Sequence, residues 1–169
     1  MSPELTTALG ALLSDRNLRE TLRRNSGQAA RQLQVPESDL RALDPEALEI
    51  QAESLIEKRR NEVAKRLPRT MALLGHRASG LFRDYAGDSW PEGHRRHLLD
   101  AARFGSFLTD RKLPLCRSEW NRVRFTAGTS LFSIAFAHDV RIGCRSRGAV
   151  EVFYRFRGTV RSCAFYLGL

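Results

Sequence analysis

Apolar residues recur at helical spacing through most of the chain and then switch to alternation. Leu5, Ala8, Leu12 and Leu13 mark a helix over residues 3–13. Ser14-Asp15 can cap a second helix reaching Arg24, with Leu18 and Leu22 on one face. Asn25-Ser26-Gly27 is a stop; short helical pieces follow at 28–33 and 38–43. Asp44-Pro45 opens a long helix, because Asp can cap it and Pro suits its first turn. Its stripe is Leu48, Ala52, Leu55, Ile56, Val63 and Leu67, and its charged faces read as solvated i,i+4 pairs. Pro68 ends or kinks it. Further helices are expected at 69–74, 78–86, 91–108 and 116–125.

After Gly128 the period becomes two. Residues 131–137 read as a strand or transition, and Val140, Ile142 and Cys144 alternate with polar neighbours. Val150, Val152, Tyr154 and Phe156 alternate with Glu151, Phe153, Arg155 and Arg157. Turns are expected at Arg147-Gly148 and Gly158, with a last strand at 160–167. The expected fold is α+β: a helical domain over 1–125 and a small antiparallel sheet over 126–169. So small a sheet must pack one side on the helices. The expected outward side carries Arg141, Arg145, Arg155 and Arg157, with Phe153 among them.

Composition sharpens this picture. Of the chain's net charge of +9, residues 121–169 carry +6, from eight Arg against Asp139 and Glu151. A basic segment calls for an acidic partner: nucleic acid, a peptide or a protein surface. No run approaches the roughly 18 apolar residues of a membrane helix. The N-terminus lacks the pattern of a secretory signal, so a cytoplasmic protein is expected. Three cysteines, Cys116, Cys144 and Cys163, have no CxxC spacing and read as reduced thiols.

Catalytic signatures are missing. His94 and His97 lie in HRRH with no third ligand at a motif spacing, so they read as a basic helix face. His138-Asp139 has no nucleophile elbow near it. No phosphate loop, dinucleotide fingerprint or zinc-protease motif occurs. What remains is a basic, aromatic-bearing sheet whose edge can accept an extended peptide as a further strand. The competing reading is a basic nucleic-acid-binding or regulatory module; no helix with a basic recognition face supports it.

The stretch 52–75, AESLIEKRRNEVAKRLPRTMALLG, carries a resemblance, continued by Phe82, Tyr85, Pro91, Leu99-Asp100-Ala101, Phe104, Phe107-Leu108, Leu113-Pro114 and Glu119. The pattern resembles small bacterial proteins encoded beside multinuclear nonheme-iron TIM-barrel oxidases. These are the small subunit of the 3-thiaglutamate holoenzyme and, more distantly, the methanobactin partner protein. The resemblance implies a non-catalytic subunit without a metal of its own, the iron residing in the partner enzyme. It also implies that the sheet binds the leader of a ribosomally made precursor peptide, so that the core cysteine reaches the metals. The residues expected to contact the peptide are Arg141, Gly143, Arg145, Glu151, Phe153, Arg155 and Arg157. Those expected to dock the enzyme are Arg59, Arg60, Phe82, Trp90 and Arg95.

Overall fold

In the computed structural model, residues 3–142 and 145–166 are described. Helices occupy the N-terminal part and a three-stranded antiparallel sheet the C-terminal part, an α+β architecture. The switch from helix to strand falls after Ala127, close to the expected position. Compactness divides the chain elsewhere. One unit comprises residues 1–58 with 82–90; the other comprises 59–81 with 91–169.

The first unit holds α1 (Pro3–Ser14), α2 (Arg16–Arg24), α3 (Ser26–Leu33), α4 (Glu37–Arg41) and the N-terminal part of α5 (Pro45–Arg66). Local capping explains the breaks. The Asp15 carboxylate accepts from the Asn17 and Leu18 amides at the start of α2. Asn25 ends α2 and caps α3, where its side chain accepts from Gln28 N at 3.0 Å. Ala8, Leu12, Leu22, Ala29, Ala30, Val35, Leu40 and Leu48 form one buried cluster.

The second unit holds the end of α5, α6 (Pro68–Leu74), α8 (Arg96–Asp110), α9 (Arg117–Ala127) and the sheet. A short 3₁₀ turn, Gly75–Arg77, precedes α7 (Ala78–Asp88). Leu67 offers α6 no side-chain cap. Glu119 supplies one from α9: its carboxylate accepts from Arg69 N at 2.8 Å and Thr70 N at 2.9 Å. Thr70 Oγ1 donates to Glu119 at 3.1 Å and accepts from Cys116 N at 3.1 Å. α9 packs on α8 and on β1 (Phe132–Ile142). Trp120 lies against Gly105, where an added Cβ would stand 2.1 Å from the indole Cδ1.

Two expected boundaries move. The helix expected from Pro91 starts at Arg96, because Gly93 at φ +83° cannot continue a right-handed helix. Arg147-Gly148 lie within β2 (Arg145–Phe156), not in a turn. Gly148 fits there beside Phe136, whose Cζ would lie 3.6 Å from an added Cβ. β3 (Thr159–Tyr166) returns after Arg157-Gly158, both at positive φ, the conformation of a type I′ hairpin.

Candidate functional site

The sheet order is β1-β2-β3. On one face Phe136, Val150 and Phe165 form a row; Ile134, Val152 and Cys163 form the next; Phe132, Tyr154 and Arg161 form the third. On the other face Ala137, Ala149 and Tyr166 align, then Ala135, Glu151 and Ala164, then Ser133, Phe153 and Ser162. The second face packs on the helices. Phe153 is 1% exposed and stacks on Phe125 of α9 at 5.6 Å. Glu151 is buried and accepts from Ser118 Oγ at 2.7 Å. Arg155 Nη2 donates to Phe125 O at 3.2 Å and Gly128 O at 3.0 Å, holding the last carbonyls of α9.

The expected orientation of β2 is therefore inverted. Glu151, Phe153 and Arg155 face the helices and are not available to a peptide. Arg157 is exposed, in the turn, with its guanidinium 5.5 Å from the Phe156 ring centre. Gly143, and the side chains of Arg141 and Arg145, lie outside the described residues. The solvent face is apolar instead. Phe132, Ile134, Phe136, Tyr154, Phe156 and Phe165 are all among the exposed large hydrophobic residues, Phe165 at 61%. Arg161 is the one charged residue in its three rows. The alternation was correctly legible, but both parities of β2 carry apolar residues. On the inner face Glu151 and Arg155 find partners in Ser118, Phe125 O and Gly128 O.

The two edges of the sheet differ. β1 shifts register between Ala137 and Val140, a bulge that disrupts pairing. Its carbonyls are also engaged: Arg69 Nη2 donates to Asp139 O at 2.7 Å, and Asn121 Nδ2 reaches Phe136 O at 3.4 Å. β3 is exposed along most of its length. The pair that closes a two-residue hairpin, Phe156 with Thr159, exchanges both main-chain bonds. Pairing then alternates, so 159, 161, 163 and 165 bond to β2. Arg155 N donates to Leu131 O, away from β3, as this phase requires. The amides and carbonyls of Val160, Ser162 and Ala164 consequently point to the open edge. Sequence reasoning missed these three, although the Arg157-Gly158 turn sets their phase.

The expected docking residues fall in both units. In the second unit Arg59 is buried: Nε donates to Asp100 Oδ2 at 2.9 Å and Nη2 to Oδ1 at 2.8 Å. In the first unit Phe82 is fully buried and meets Tyr85 edge-on at 5.4 Å. Buried in this way, neither Arg59 nor Phe82 presents its side chain at the surface. Trp90 is 37% exposed, Arg95 is exposed, and Arg60 is half-buried with Nη2 on Asn61 Oδ1. Several residues that carry the resemblance, including Arg59, Thr70, Asp100, Phe104 and Glu119, serve packing and hydrogen bonding.

Among the described residues no group of three or more His, Cys, Asp or Glu could hold a metal ion. Burial pushes the Cys116 thiol up to about 12, while Cys163 is exposed. No described helix is long and apolar enough to cross a membrane. Residues 35–110 match the family model described as SCO6045-like, C-terminal domain. No curated protein and no solved structure matches the chain.

Proposed function

We propose that this chain is a non-catalytic partner subunit of a multinuclear iron oxidase, binding the leader of a ribosomally synthesised precursor peptide. The observation that carries the reading is the asymmetry of the sheet. β1 is blunted by a bulge and by Arg69, whereas β3 keeps a straight row of main-chain donors and acceptors. Such an edge takes an extended segment by strand addition. Holding the leader there raises the effective concentration of the attached core cysteine at the partner's metals. The iron belongs to the partner in this reading, and this chain supplies recognition. The exposed apolar rows favour a protein or peptide partner over nucleic acid, which calls for a cationic face.

The test uses the full chain together with an iron oxidase and a cysteine-bearing precursor peptide sought in its gene neighbourhood; finding neither there would also count against the reading. Hydrogen exchange is measured with and without precursor. The expected result is slowed exchange at the amides of Val160, Ser162 and Ala164, with the enzyme co-purifying through size exclusion. Unchanged exchange along β3 in the presence of bound precursor would overturn the strand-addition reading.

A further inference from the structure

Building on the peptide-recognition reading above, we propose that the β3 edge selects an antiparallel segment with the order apolar, any, apolar, any, acidic. The selection comes from the solvent face of the sheet, not from the hydrogen bonds. Main-chain bonds to Val160, Ser162 and Ala164 are available to any sequence. Guest residues opposite Phe165, Cys163 and Arg161 fall at the non-hydrogen-bonded positions, where cross-strand side chains approach most closely. Their side chains therefore extend the three existing rows by one residue each. Two of those rows are apolar across the whole sheet: Phe136, Val150 and Phe165, then Ile134, Val152 and Cys163. The third ends in Arg161, which is exposed and has no ion pair among the described residues. An antiparallel guest runs past these positions from Phe165 to Arg161, which puts the acid last. Guest residues between them lie on the side of Ser162 and Ala164, next to small side chains.

The probes are labelled synthetic peptides, read by fluorescence anisotropy against the full chain at low salt. One has Val, Leu and Asp at alternate positions separated by Thr. A second has the same composition with Val and Leu adjacent, so no register places both on the solvent face. The alternating peptide should bind at least about fivefold more tightly, since its close cross-strand side-chain pairs add to the main-chain bonds. Arg161→Glu should weaken it by about fivefold, and replacing the peptide's Asp by Lys should restore binding to that variant. Ser162→Pro removes an edge amide without touching the β2 ladder and should abolish binding of every peptide. Equal affinity of the two peptides, both lost in Ser162→Pro, would overturn the selection rule and leave strand addition standing. Binding indifferent to Ser162→Pro, or no binding of either peptide to the parent, would overturn both. Circular dichroism of both variants shows that the sheet is kept.

Discussion

Arg59 and Asp100 stand 41 residues apart and meet as a two-bonded pair, with Asp100 1% exposed. Burying the pair carries a desolvation cost that geometry this close offsets. Removing the cation alone leaves a carboxylate with no water to solvate it. Arg59→Met should therefore destabilise the second unit by about 3–5 kcal/mol, and Arg59→Met with Asp100→Leu by clearly less. Urea unfolding followed by circular dichroism measures both. A single substitution costing under about 1 kcal/mol would mean that the pair is solvated in solution. In the sequence Arg59 sits in a run of mixed charges on α5, and nothing within one helical turn marks it as the buried member.

At the scale of elements, the sheet is positioned by α9, and α9 by α8. Trp120 links these helices: its Nε1 donates to Ala102 O at 3.0 Å, and its ring fills the space left by Gly105. Glycine is required there by close approach, since its helical backbone needs no special φ. Gly105→Ala should cost about 1–3 kcal/mol through overpacking, despite alanine's better helix propensity. Near-ultraviolet circular dichroism of the indole and the thermal midpoint should change together. An unchanged or higher midpoint would show that α8 and α9 separate without strain. Arg155 acts at the same scale, its guanidinium tying β2 to the end of α9.

For the whole molecule, the charge balance predicts an acid-sensitive fold. The Arg19 hydrogen bond holds the Glu49 carboxyl below its ordinary value, as Ser26 does for Glu37 and Lys65 for Glu62. Each carboxyl takes up its proton at higher pH unfolded than folded. The contribution to stability is therefore present above about pH 4.5 and is lost as pH falls through the lowered folded value. The urea midpoint should be flat from pH 7 to 5 and drop below about pH 4.5, with Arg19→Met reducing the drop. A midpoint that rises on acidification would contradict this assignment. Salt should weaken the exposed pairs more than the Arg59–Asp100 pair, which is shielded from screening.

Signals contained within a turn or two of chain were legible in the sequence. Asp15 and Asp44-Pro45 marked helix starts, Asn25 marked the end of α2, Pro68 split α5 from α6, and the change to period two announced the sheet. The Arg157-Gly158 turn likewise set the register of β3. These features rest on the backbone preferences of adjacent residues, so the sequence alone determines them. Which face of β2 points inward was decided only by tertiary structure. Val150, Val152 and Tyr154 argue for one face and Phe153 for the other, so both parities are apolar and the alternation does not pick a side. Inward, Glu151 meets Ser118, and Arg155 meets the carbonyls of Phe125 and Gly128, partners more than 25 residues away in sequence. Those partners offset part of the desolvation cost of turning Glu151 and Arg155 inward, and Phe153 is buried beside them against Phe125. The free edge was decided in the same way, by Arg69 from α6 reaching a β1 carbonyl that local sequence gives no reason to single out.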